Sequence, residues 1–170
     1  GCDFFSIPGQ KWLLGPDGVG ALFVRKELIP ELEPIKVSNR AVTSYNMEGG
    51  FEPNPSSMTK FQITTTSVPL RAGFLEALRF TREIGVPEIE RQNQALAATV
   101  KAALKEIPGV TVLSPMGGSG ASGLVSFRIK GVEPQQAVEH LWERHRVVAR
   151  QVREMACVRL SLHFFNTEEE

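Results

Sequence analysis

The sequence of 170 residues contains only two cysteines, Cys2 and Cys157, and no apolar run near the length of a membrane span. Two cysteines make neither a disulfide framework nor a cysteine-rich metal cluster, a usage typical of a reducing compartment. A membrane-spanning helix needs roughly 20 consecutive apolar residues, so no membrane segment is expected. The sequence therefore predicts a cytoplasmic protein without a membrane partner.

An excess of charge of either sign is also missing, since 19 Lys and Arg residues balance 19 Asp and Glu residues. This balance leaves no general basic surface, so nucleic acid and anionic membranes are not expected partners. With 42% hydrophobic residues, the chain is too apolar for a disordered protein. At about 150 residues per domain, the length predicts one domain, or one and a part of another.

The two ends predict a fragment of a longer protein. The chain has neither an initiating methionine nor the basic, apolar and small-residue pattern of a signal peptide. It ends at Asn166, followed by Thr167 and three glutamates. Asparagine followed by acids is typical of the start of a helix, because its side chain caps free N–H groups and the carboxylates suit the positive end of the helix dipole.

The first half of the chain predicts two strands and a helix around a long loop. Strands are expected at residues 4–7 and 21–25, where apolar and β-branched residues lie between turn residues. Residues 30–57 are rich in Pro, Asn, Gly and Ser without a sustained period, so an irregular loop is expected there. Apolar residues at helical spacing predict a helix over residues 68–84.

From residue 87 onward the pattern predicts the order α-β-β-α-β-β, a small α/β unit large enough to hold its own core. Pro87 and Pro134 each lie in the first turn of a predicted helix. The helices are expected over 87–107 and 133–146, and the strands over 110–113, 124–129, 147–150 and 158–163.

Lys11 is the most informative residue because Trp12, Leu13 and Leu14 follow it directly. Most lysines are solvated surface charges. A lysine lodged among apolar neighbours loses its proton more easily, and its amine becomes available for a Schiff base. The glycines that follow do not form a phosphate-binding fingerprint, because a strand and not a helix comes after them.

Residues 6–20, SIPGQKWLLGPDGVG, resemble the lysine segment of class V aminotransferase-family enzymes. These are fold-type I enzymes that use pyridoxal phosphate (PLP), and they include cysteine desulfurases, cysteine/cystine C–S lyases and isopenicillin N epimerase-like proteins. The resemblance implies that Lys11 forms the internal aldimine and serves as acid and base at the substrate carbons. Gln10, beside the cofactor, stands where many members have histidine.

The same resemblance implies an α/β fold in two parts. Residues 1–85 would end the large PLP-binding domain, and residues 86–170 would form a small C-terminal domain that stops at its last helix. The cofactor's ring-binding Asp, its stacking residue and most of its phosphate contacts precede the lysine in this family. We therefore expect the fragment alone to bind PLP poorly and to be inactive.

Residues 60–66 resemble the segment that reaches the cofactor phosphate of the neighbouring subunit, with Thr65 as the matching threonine. Hydroxyl and backbone N–H groups suit a phosphate because they donate hydrogen bonds without adding charge. The resemblance thus implies a homodimer in the full-length protein. Without it, the threonine run would also fit a β-prone strand edge.

Arg159 alternates with apolar neighbours on a predicted strand, so its side chain points away from theirs. A planar fork of donors suits a carboxylate, and the resemblance places the arginine that binds the substrate amino acid here. The alternative is an exposed strand arginine paired with an acid. Arg150 is a further candidate to face the site.

Cys157 invites comparison with the persulfide-forming cysteine of desulfurases, which lies on a loop several residues before the carboxylate arginine. Residues 147–156 contain no cysteine, and Cys157 lies two residues from Arg159. A buried thiol is expected instead. This leaves C–S cleavage by β-elimination, epimerisation and transamination open.

The histidines lack ligand partners at metal-binding spacing, so no metal is expected. A non-enzymatic function also stays open, in which the chain is a non-catalytic binding or scaffold module that descends from such an enzyme.

Overall fold

The computed structural model of the chain describes residues 1–39, 41–62 and 65–170. They form two compact units, Gly1–Thr81 and Arg82–Glu170. Helices and strands occur in both units, so the predicted α/β class is confirmed. None of the helices in these ranges is long and apolar enough to cross a membrane.

The first unit opens with an antiparallel pair, β1 (Phe4–Pro8) and β2 (Gly20–Val24). Ile7 pairs with Ala21, and Phe5 pairs with Phe23. Aromatic and branched side chains favour this pleated pairing. The two strands hold the ends of the segment that carries Lys11.

The prediction of an irregular loop over residues 30–57 is wrong. This segment contains a hairpin of β3 (Val42–Tyr45) and β4 (Phe51–Pro53). Asn46 closes the turn: its side-chain oxygen accepts from the Gly50 N–H at 2.7 Å, and its own N–H donates to the Gly50 carbonyl at 2.9 Å. Gly49 has φ +87°, which favours glycine. The hydrogen bonds of the turn thus pair two short strands whose sequences show no clear hydrophobic alternation.

Helix α1 (Val68–Ile84) covers the predicted range. The Ser67 hydroxyl accepts a hydrogen bond from the Leu70 N–H at 3.4 Å, so a serine caps the first turn. The last residues of α1, from Arg82 onward, belong to the second unit.

Two lysines are buried, one in each unit, and each donates to a backbone carbonyl. Lys60, in a short 3-10 helix (Met58–Phe61), donates to Ile29, and its ammonium lies 5.6 Å from the centre of the Phe61 ring. Lys101 donates to the Pro115 carbonyl at 2.7 Å. Both side chains are about 1% exposed.

The second unit is a four-stranded antiparallel sheet with two helices, in the predicted order α-β-β-α-β-β. The strands lie in the order β5-β6-β8-β7, which places β8 in the interior of the sheet. The elements are α2 (Val86–Lys105), β5 (Val110–Val112), β6 (Leu124–Ile129), α3 (Pro134–His145), β7 (Arg150–Val152) and β8 (Cys157–Ser161).

The core of this unit lies between one face of the sheet and its helices. Phe127, Ala137 and Val158 form a buried cluster, against which Leu104 of α2 and Leu141 of α3 pack. Because side chains alternate along a strand, the neighbours of Phe127 and Val158 point to the opposite face.

The last two strands are offset from their predicted positions at 147–150 and 158–163. Helix α3 ends at His145; the next residue, Arg146, is in the left-handed conformation, φ 57°, and the Val147 N–H donates to the Leu141 carbonyl at 3.1 Å. These residues cap the helix, so β7 starts at Arg150. After β8, the Asn166 side chain accepts from the His163 N–H at 2.9 Å, which forms a turn where strand was expected.

Candidate active site

Lys11 and Gln10 lie in the turn that joins β1 to β2. Backbone hydrogen bonds close this turn at its base, where the Gly9 N–H donates to Val19 at 2.9 Å and the Gly15 N–H donates to Gly9 at 2.8 Å. The Leu14 N–H donates to the Lys11 carbonyl at 3.0 Å. The lysine backbone is thus fixed on both sides.

Phe74 of α1 packs on this turn, which explains two of its glycines. A Cβ atom added at Gly9 would lie 2.8 Å from the Phe74 ring, and one added at Gly15 would lie 2.7 Å from it. No side chain fits in either place. The sequence predicts Phe74 only as an apolar helix position, because spacing along a helix does not reveal which turn it covers.

Lys11 is exposed, so the prediction that it is lodged among apolar side chains is wrong for this chain. Trp12 and Leu14 are themselves 39% exposed and therefore leave the lysine open to solvent. The Lys11 side chain makes no hydrogen bond or ion pair within the part of the chain that the structure describes. Its amine is therefore available to a ligand.

Thr65 is exposed and lies two residues before the capping serine of α1. The next residue, Thr66, accepts a hydrogen bond from Arg71 of α1 at 3.1 Å, which ties the segment to the first turns of the helix. Backbone N–H groups at a helix N-terminus attract anions. Residues 63 and 64 of the predicted phosphate segment lie outside the described residues.

Arg159 lies at the middle of β8, between two residues of the helix-packed face, Val158 and Leu160. Its own side chain therefore belongs to the other face, as the alternation predicted. The Arg159 Nε atom is buried and, among the described residues, has no hydrogen-bond partner. A buried, unsatisfied donor in a native structure calls for an acceptor.

The strand register places two further polar residues beside Arg159. Ser126 of β6 is its partner on one side, and Arg150 of β7 is its partner on the other. Residues directly opposite in an antiparallel pair project from the same face. Arg150 therefore shares the sheet face of Arg159, and two guanidinium groups occur there together.

Cys157 is fully buried in β8, as predicted, and pairs with Val152 of β7. Within the described ranges no group of three or more His, Cys, Asp or Glu residues could hold a metal ion. The structure thus groups Lys11 and Gln10 in one turn. Thr65 belongs to the same unit, and Arg159 belongs to the second.

Comparison with known proteins places the chain in a family. The family model for aminotransferase class-V matches residues 1–170. The chain belongs to the class-V aminotransferase family. The family assignment made from the lysine segment is therefore confirmed.

Three relatives are 25–30% identical to the chain over the aligned residues. Isopenicillin N epimerase of Streptomyces clavuligerus is 30% identical over 182 residues, a match that covers 99% of this chain and 44% of the epimerase. The apo cysteine desulfurase of Thermococcus onnurineus NA1 superposes with a TM-score of 0.86 at 25% identity, covering 99% of this chain and 44% of that one.

The cystine C-S lyase C-DES, solved with its product cysteine persulfide, has a TM-score of 0.83 at 27% identity, covering 98% of this chain and 43% of the lyase. A mutant of C-DES carries glycine covalently linked to its PLP cofactor. The chain described here thus spans less than half the length of these relatives.

Proposed function

We propose that this chain is the lysine- and arginine-bearing part of a PLP-dependent enzyme that cleaves a C–S bond of an amino acid. The observation that carries the proposal is the buried Nε of Arg159, which has no partner among the described residues. An amino-acid α-carboxylate supplies two coplanar oxygens, which match the donors of a guanidinium. Arg150, on the same sheet face, adds a second positive charge.

Lys11 is the residue that would hold PLP covalently. Its exposed amine, on a turn fixed by backbone hydrogen bonds, supports this role. PLP, when bound, supplies an electron sink for negative charge at the substrate α-carbon. Once the substrate amine has displaced Lys11 from the cofactor, the freed Lys11 amine would take the proton from that carbon and return it to the substrate or product. Gln10 contributes a neutral amide beside the lysine, which can donate and accept hydrogen bonds without adding charge.

Thr65 would bind the cofactor phosphate of a neighbouring subunit, which makes the full-length protein a homodimer. Its exposure and its place ahead of the N-terminus of α1 support the proposal, because hydroxyl and amide donors suit a phosphate. Residues 1–85 would then complete the large cofactor domain and residues 86–170 the small domain. On this basis the chain by itself binds PLP weakly and turns over little substrate, and the full-length enzyme acts in the cytoplasm.

The burial of Cys157 bears on the type of reaction. A thiol enclosed in a central strand has no access to a sulfur atom on the substrate. We therefore favour cleavage that releases sulfur into solution over transfer to Cys157. Epimerisation and transamination are the alternatives, and the similarity to isopenicillin N epimerase supports the first of them.

The test uses the full-length protein with PLP and a panel of amino acids that includes cysteine and cystine. We expect pyruvate with sulfide or persulfide, and a large rise in KM for Arg159→Ala. Arg144→Ala, an exposed arginine of α3, is the matched control and should retain the parent KM. Without sulfide, an amino acid with inverted configuration at the α-carbon would favour epimerisation, and a keto acid would favour transamination. A protein that neither binds PLP nor turns over substrate would be the binding or scaffold module.

A further inference from the structure

The connection between β7 and β8 is a four-residue turn, Arg153–Ala156, that ends in an unfavourable backbone conformation. The Ala156 N–H donates to the Arg153 carbonyl at 3.0 Å. Ala156 has φ 45° and ψ 54°, in the left-handed region. A residue with a Cβ is disfavoured there, so Ala156 tends to return to an extended conformation unless other contacts hold it.

Arg128 of β6 supplies such contacts. Its Nη2 donates to the Met155 carbonyl at 2.6 Å, and its Nε lies 3.2 Å from the same oxygen and 3.3 Å from the Ala156 carbonyl. A guanidinium can reach two carbonyls at once because its donors are arranged in a rigid fork. Charge-assisted hydrogen bonds are stronger than neutral ones. Arg128 therefore holds the turn at its strained residue.

The turn lies directly before β8, so it sets where that strand begins. Cys157 pairs with Val152, and two residues later Arg159 pairs with Arg150. A shift of one residue in this register would turn every side chain of β8 to the other face. Arg159 and Cys157 would then both point toward the helices, and Cys157 would leave the environment that now buries it.

We propose that Arg128 is a positioning residue, which fixes the register of β8 through Met155 and Ala156 and so orients Arg159 toward the substrate carboxylate. The part that concerns the substrate rests on the proposed function. The part that concerns the register does not, because the burial of Cys157 reports on it directly. Arg128 touches neither substrate nor cofactor in this account.

The first test measures alkylation of Cys157 by iodoacetamide in the full-length holoenzyme, with Cys2→Ser to remove the exposed thiol. We expect Arg128→Ala to speed alkylation at least about tenfold, because local opening governs access to buried groups. Arg144→Ala should label as slowly as the parent. Equal rates for Arg128→Ala and Arg144→Ala would overturn the proposal.

The second test asks whether Arg128 acts through the strained residue. Glycine adopts the left-handed conformation without strain, so Ala156→Gly should restore slow alkylation in the Arg128→Ala background. Leu104→Ala lowers stability by removing a core side chain from α2, and Ala156→Gly should not rescue its alkylation rate. If Ala156→Gly fails to rescue Arg128→Ala, or rescues both variants alike, the role assigned to Arg128 is wrong.

Steady-state kinetics separates this proposal from the proposed function. We expect Arg128→Ala to raise KM for the amino acid by at least about tenfold with little change in kcat, since carboxylate binding is weakened in ground and transition states alike. The double variant with Ala156→Gly should recover the parent KM. Activity absent from every variant would contradict the proposed function alone, since the alkylation rates would still decide the role of Arg128.

Discussion

Arg150 lies directly opposite Arg159 in the β7–β8 pair, so two positive side chains share one face of the sheet. Neither arginine forms an ion pair within the residues that the structure describes. Like charges directly opposite each other destabilise a sheet. Such a pair is explained if an anion binds beside it.

The first prediction concerns the cost of this arrangement. Arg150→Gln should raise the free energy of unfolding by about 0.2–1 kcal/mol at low salt, because it removes the repulsion. The gain should shrink in high salt, which screens exposed charges. The same variant should bind the amino-acid substrate more weakly.

Urea unfolding of the full-length protein at low and high salt measures this effect, with Arg144→Gln as the matched loss of one positive charge. If both variants change stability equally at low salt, the repulsion between Arg150 and Arg159 is not significant.

The second prediction concerns the packing of Phe74 on the lysine turn. Gly15→Ala should destabilise the protein by about 1–3 kcal/mol, since its Cβ would overlap the ring. Gly117→Ala is the control, because no atom lies within 4 Å of a Cβ added there. Denaturant midpoints compare the two variants, and equal tolerance of both would show that Phe74 does not constrain the turn.

The third prediction concerns the core of the second unit. Phe127→Ala should cost about 3–5 kcal/mol, because it leaves a cavity beside Val158 and Ala137. Val148→Ala, at a position 80% exposed, should change stability by less than about 0.5 kcal/mol. Thermal unfolding measures both. A small loss for Phe127→Ala would mean that the core is placed elsewhere.

The fourth prediction concerns pH. Arg91 lowers the pKa of the Glu88 carboxyl, first through its hydrogen bond and second through its charge. A lowered pKa means that the pair stabilises α2 at pH above the ordinary carboxyl pKa, and that this contribution is lost as the pH falls through the lowered value.

An NMR titration of the Glu88 side chain measures this shift directly. Arg91→Ala should return the pKa of Glu88 toward its ordinary value, while Arg79→Ala, in the separate pair with Glu76, should leave it unchanged. An unaltered Glu88 pKa in Arg91→Ala would contradict the assigned cause.

The sequence predicts much of this fold because hydrophobic period and proline position indicate the elements locally. The helix over 68–84 and the strand over 124–129 have the predicted bounds, since strong apolar patterns define them. The hairpin within residues 30–57 was missed, because it depends on the side chain of Asn46 and on the glycines of its turn.

Some residues of the candidate site were likewise predictable from the sequence, and others were not. Motifs indicate Lys11 and Arg159, since local spacing places them on a turn and a strand. Phe74, Arg128 and the pairing of Arg150 with Arg159 depend on contacts between residues distant in sequence. The exposure of Lys11 was also mispredicted, because apolar neighbours in sequence do not determine which side chains surround a residue in space.

The most direct measurement is the position of the cofactor on the full-length protein. PLP is added, the protein is reduced with borohydride, and peptides are mapped by mass spectrometry. We predict a pyridoxyl group on Lys11 that disappears in a folded Lys11→Ala variant. A pyridoxyl group on another lysine, such as the buried Lys60 or Lys101, or no adduct at all, would contradict the account.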